Sequence, residues 1–145
     1  MISELNGKYI INLLRDASSY RYAWAMNIRA IRGATQVASN DAAVIGEGSK
    51  ELLAAILKAN SLAIEDVISV LLTSTADLNA AFPASAARDI GFASVPLLCA
   101  QEIDVPNSLP RTIRVMLHCQ TERSMAQIEH VYLHGASVLR KDLAQ

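Results

Sequence analysis

The sequence predicts one α+β domain with a mixed β-sheet. Three observations point there. Residues 112–120 alternate: Ile113, Val115, Leu117 and Cys119 fall on one face of a strand, and Arg114, Met116, His118 and Gln120 on the other. Val67–Thr73 and Val95–Gln101 are near-continuous apolar runs, the pattern of buried strands. Val44, Gly48, Leu52, Ala55, Ile56 and Ala59 recur at helical spacing.

In chain order, residues 1–25 read as an extension, or as an upstream start with Met26 the first true residue. They hold Trp24 and the tyrosines Tyr9, Tyr20 and Tyr22. Arg15-Asp16 cut off a short apolar run, so a signal peptide is not expected. Residues 26–145 form the domain. Its first strand is Asn27–Thr35, with Ile28, Ala30 and Arg32 on one face. Gly33 there permits a bulge or the close approach of a backbone or ligand. Ser39-Asn40-Asp41 supplies a cap for a helix over 41–59, and Asn60 is its expected left-handed stop. Gly46 and Gly48 weaken that helix by about 1 kcal/mol each relative to alanine.

Val67–Thr73 is expected as a central strand buried on both faces. A loop over Asp77–Ala81 leads to Pro83, which suits the first position of a helix ending at Gly91. Arg88 on that helix is expected to be partly exposed. A strand over 95–101, a Pro-rich connection and the alternating strand follow. A short polar helix at Ser124–Glu129, a strand at Val131–Leu133 and a tail through Val138-Leu139-Arg140 complete the chain.

At 145 residues the chain is long enough for one sizeable core. Its 52% apolar content exceeds what one small core needs and suggests contacts between subunits. A net charge of −1 indicates neither a nucleic-acid nor an anionic-membrane partner. No apolar run is long enough to span a bilayer. Two cysteines, Cys99 and Cys119, both in strand patterns, form no disulfide framework, and a reducing cytoplasm fits best.

The usual catalytic signatures are absent: there is no Gly-rich phosphate loop and no G-x-S-x-G elbow. His130 and His134 share a face, but a metal site would need a third ligand and only His118 is on offer. No metal is expected. Nothing in the sequence marks a base for Cys99, so a buried thiol is its default reading. Arg114 stands in the middle of one strand and Glu102 at the end of another. On these two residues alone the expectation is a structural ion pair. Arg32, Arg114, Glu102, Cys99 and Tyr132 are each on a strand or strand end. Together they suit a small dianion bearing a hydroxyl, not proton transfer or covalent catalysis.

The segments around these residues resemble the monofunctional chorismate mutases of the AroH class. They are Ile31-Arg32-Gly33-Ala34-Thr35; Asp77-Leu78 with Ala81-Phe82-Pro83-Ala84 and Arg88; Val95 to Glu102; Ile113-Arg114-Val115; His130-Val131-Tyr132-Leu133; and Val138-Leu139-Arg140. The resemblance runs from about Met26 to Leu143. It implies a mixed sheet with helices on one face, three subunits forming a trimeric pseudo-α/β-barrel, and sites at the subunit interfaces. It implies cofactor-free conversion of chorismate to prephenate in phenylalanine and tyrosine biosynthesis.

By this resemblance Arg114 contacts the breaking ether oxygen, and Arg32 and Tyr132 hold the side-chain carboxylate. Glu102 and Cys99, with backbone from Leu98, Ala100 and Gln101, hold the ring hydroxyl. Phe82, Ala84 and Arg88 of a neighbouring subunit line the mouth, with Leu139 and Arg140 from the tail. Ser85 stands where some relatives carry a basic residue, and residues 1–25 have no counterpart. Two rivals are a RidA-like imine/enamine deaminase, also trimeric with an interfacial arginine, and a non-catalytic binder of an aromatic-pathway metabolite.

Overall fold

A computed structural model describes residues 26–140, with Arg140 placed by its backbone alone. The expectations for residues 1–25 lie outside the described residues. Strand β1 (Asn27–Gln36) is followed by helix α1 (Ala42–Asn60), β2 (Val67–Ser74), helix α2 (Pro83–Asp89), β3 (Leu97–Gln101), β4 (Thr112–Thr121) and β5 (Val131–Leu133). The polar segment near residue 125 is a 3₁₀ turn, Met125–Gln127, and the tail is a 3₁₀ helix, His134–Arg140.

Among the described residues the five strands form one sheet in the order β3-β2-β4-β1-β5. β4 runs antiparallel to both neighbours, while β3 pairs parallel with β2 and β5 parallel with β1. The sheet is therefore mixed, as expected. The alternating strand β4 lies at its centre.

Asp41 caps α1, its carboxylate accepting from the backbone N–H of Ala43 and Val44 at 2.9 and 3.2 Å. The helix stops one residue later than expected, at Ser61, whose φ of 54° is left-handed. Asn60 is instead buried. Its side chain donates to the carbonyls of Ile56 and Glu129 and accepts from the Glu129 N–H, tying α1 to the segment before β5. Pro83 opens α2, and Gly91, at φ 106°, follows its end.

Both helices cover the same sheet face. Leu52, Leu53 and Ile56 of α1 and Ala84 and Ala87 of α2 meet Ile31, Val70, Leu72, Val115, Leu117 and Phe92 in one core. Each fully buried Leu or Ile there contributes about 1.5–3 kcal/mol. Gly33 makes the close approach predicted for it, with no bulge: a β-carbon there would sit 2.7 Å from Ile56 and 3.2 Å from the Val131 carbonyl.

β2 departs from expectation. It lies inside the sheet, between β3 and β4, but its second face is open: Ile68 and Leu71 are exposed while Val70 and Leu72 are buried. Its apolar run reads as doubly buried because the open face also carries apolar residues. Ile28, Leu71 and Leu98 lie uncovered there, with half-buried Met116 between strands.

Candidate active site

Cross-strand register assembles the site on the open face. Residues paired across a sheet share a face. Arg114 on β4 pairs with Ala34 on β1 and Thr73 on β2, and Ala34 pairs in turn with Tyr132 on β5. One step along, Arg32 pairs with Met116, which pairs with Leu71. These residues line a cavity of about 310 Å³, closed at one side by Leu139 of the tail. That volume suits a small-molecule ligand.

Charge in the cavity is lopsided. Arg114 Nε lies 3.3 Å from Glu102 Oε1, the Glu102 side chain 17% exposed and that of Arg114 44% exposed. Glu102 sits just beyond β3, where its N–H donates to the Ser74 carbonyl at 2.9 Å. The Arg32 guanidinium has no carboxylate partner among the described residues. One carboxylate thus answers two arginines, which leaves positive charge for an anion. Such a cavity can hold an anionic ligand, stabilise developing negative charge and offer one carboxylate to a hydroxyl.

The structure brings together Arg32, Arg114, Tyr132 and Leu139, with Glu102 joined through Arg114. Cys99 is not among them. It pairs with Leu72, so its thiol lies on the helix-covered face, but it is half-buried where a buried thiol is the expectation. It lines a second cleft of about 380 Å³ with Phe82, Pro83, Ala100 and Gln101. Leu98 and Ala100 project from the open face of β3. Phe82, just before α2, is 73% exposed and Arg88 on α2 is exposed, but the Ala84 methyl is packed in its own subunit's core. Arg140 lies at the end of the tail helix, its side chain outside the described residues.

The three histidines go to different partners. His130 Nδ1 accepts from the Arg32 N–H at 3.1 Å, His134 meets Glu51 at 2.9 Å, and His118 meets the Ser69 hydroxyl at 3.2 Å. No cluster of three or more metal-ligating side chains occurs among the described residues. The sequence reading missed Thr73, which lines the cavity and donates its hydroxyl to Glu102 Oε1. Alternation along β2 places Ser69, Leu71 and Thr73 together; treating the run as doubly buried hid that signal.

Comparison with known proteins follows the same residues. The family model for chorismate mutase type I matches residues 28–143. The chain is 46% identical over 120 residues to a chorismate mutase AroH of Bacillus subtilis, covering 82% of this chain and 94% of that protein. It is 45% identical over 117 residues to one from Thermus thermophilus, covering 80% and 96%. Its fold matches a solved chorismate mutase from Clostridium thermocellum with a TM-score of 0.75 at 49% identity, over 76% of this chain and 98% of that one. The match starts in β1, takes in every strand and helix of the sheet and ends in the tail, and on it the chain belongs to the chorismate mutase type I family.

Proposed function

We propose that the arginine-lined cavity converts chorismate to prephenate, an isomerisation within aromatic amino-acid biosynthesis. The observation that carries this is the pairing of Arg114 with Glu102 beside Arg32, which has no carboxylate partner among the described residues, in a cavity of about 310 Å³. The rearrangement breaks one C–O bond and forms one C–C bond as six electrons move round a ring. No proton moves and no electron is lost, so no acid, base or redox group is required. What the reaction needs is a folded conformer held in place and fixed positive charge beside the ether oxygen as that bond stretches.

Arg114 supplies that charge from the centre of the sheet. Arg32 and Tyr132 take the side-chain carboxylate in this reading, which Tyr132's register with Arg114 through Ala34 and Arg32's position one step along support. Glu102 is placed to accept from the ring hydroxyl, with the backbone of residues 98–101 beside it. Cys99 then acts through its main chain or through the cleft it shares with Phe82. In this reading the protein is a cytoplasmic homotrimer. The Phe82–Arg88 surface of one subunit closes the cavity of the next, and residues 26–145 carry the activity. No helix among the described residues is long and apolar enough to cross a membrane. The family match favours this reading over a RidA-like imine/enamine deaminase.

The test is an ultraviolet assay of chorismate loss by the purified chain without added metal or nucleotide. Prephenate should form in proportion to enzyme. Folded protein that leaves chorismate untouched, or that binds it without turnover, would refute the proposal.

A further inference from the structure

Thr73 ends the apolar run of β2, and register sets it between the strands that carry the charged pair: it faces Arg114 on one side and Ala100 on the other. Its hydroxyl donates to Glu102 Oε1, the same oxygen that receives Arg114 Nε. The Thr73 hydroxyl and the Arg114 charge therefore meet at one carboxylate oxygen. Oε2 is left as the acceptor for an incoming hydroxyl. The Arg114–Glu102 contact runs through Nε at 3.3 Å, on the inner side of the guanidinium fork.

The alternative geometry has a known preference. An arginine beside a carboxylate tends to close a two-pronged pair, with two parallel N–H···O bonds. Such a pair would occupy both Glu102 oxygens and turn the guanidinium away from the cavity. A hydroxyl donor from β2 pins Oε1 and so fixes the rotation of the carboxylate, and the second prong closes only if the carboxylate turns to bring Oε2 into line with the guanidinium. We propose that Thr73 is a positioning residue. It keeps the Arg114–Glu102 pair one-pronged, so that the free carboxylate oxygen and the rest of the arginine fork face the substrate. The inference deepens the function proposed above and rests on it for its kinetic consequence, though not for its structural one.

The experiment uses the full chain. Thr73→Val keeps the branched shape a strand favours and deletes the donor; Thr73→Ala is a second deletion should valine disturb folding; Thr73→Ser keeps the donor. In crystals of either deletion variant, Arg114 should engage both Glu102 oxygens, while Thr73→Ser should keep the one-pronged pair. Chorismate kcat/KM should fall by about 10- to 100-fold in the deletions, as for other side chains that orient a functional group. It should stay within about threefold in Thr73→Ser, and adding Thr73→Val to Glu102→Gln should cost nothing further. A merely structural role would cost the same in both backgrounds. A pair that stays one-pronged in the deletions, or a Thr73→Val loss that persists in Glu102→Gln, overturns the inference. Its failure is distinct from that of the functional reading, which falls if wild-type protein leaves chorismate unchanged.

Discussion

At the scale of single residues, Arg114 is the group on which turnover should depend most. Removing a donor aimed at charge that develops in a transition state costs about 10²–10³ in rate. Arg114→Ala should lose at least that much kcat while circular dichroism and mass in solution stay unchanged. Arg114→Lys should rescue little, because a lysine keeps the charge but not the fork that spans carboxylate and ether together. If the pair with Glu102 were only structural, Arg114→Met with Glu102→Leu would be stable and active; an active double variant removes Arg114 from the mechanism. The residues of the cavity were largely legible. Alternation put Arg32 on one face of β1 and Arg114 on one face of β4, and the register of the two strands makes these the same face of the sheet. The direction of the Cys99 thiol was not legible, because which face of β3 is covered depends on where helices α1 and α2 lie, and no local pattern encodes that.

At the scale of elements, the framework was legible where one face of a segment is polar and illegible where both are apolar. β4 and α1 declare their buried sides by spacing. β2 does not, because Leu71 and Ile68 belong to a surface of the single chain that is as apolar as its core side. Gly33 lies where α1 approaches the sheet closely, since a β-carbon there would meet Ile56 and Leu52. Gly33→Ala should cost about 1–3 kcal/mol by overpacking, measured by denaturant melts, since the Val131 carbonyl at 3.2 Å belongs to backbone and cannot swing aside.

A second element-level contact is titratable. Arg111, at φ 49°, starts the turn into β4, and its N–H donates to Asp77 at 2.9 Å. Burial pushes the Asp77 carboxyl up, but the Thr75 hydroxyl, the Arg111 N–H and the Arg111 charge outweigh it and hold the group below its ordinary value. A carboxyl lowered on folding stabilises above its unfolded value, near 3.9, and loses that contribution as pH falls through its folded value. The melting temperature of Asp77→Asn should therefore lie below wild type at neutral pH, and the gap should close below about pH 4. A gap that is constant with pH would show that the carboxylate's charge is not what orders the turn.

At the scale of the whole molecule, the open sheet face sets the expectation. A monomer would leave Ile28 65% and Leu98 64% exposed beside Leu71, with a charged cavity at their centre. Apolar patches of this kind mark contacts between chains. On the proposed function a neighbour completes the cavity, since Phe82, just before α2, and Arg88 on it are exposed and do not line the cavity of their own chain. Sites shared between subunits can be tested by mixing. Arg114→Ala lacks the charge in the cavity, and Arg88→Glu damages the surface offered to a neighbour. Each protein alone should be nearly inactive. After unfolding together and refolding, any ring of three that contains both kinds has one junction where an intact Arg114 meets an intact Arg88. Random mixing of equal amounts should then return about one quarter of the wild-type sites. Light scattering on the same sample should give the mass of three chains. Recovery of activity cannot arise if each site lies within one subunit, because no chain in the mixture carries both residues. A mixture that stays inactive while forming folded trimers would place each site within one subunit, an Arg88→Glu protein active on its own would place Arg88 outside the site, and a fully active wild-type monomer would remove the interface from the mechanism altogether.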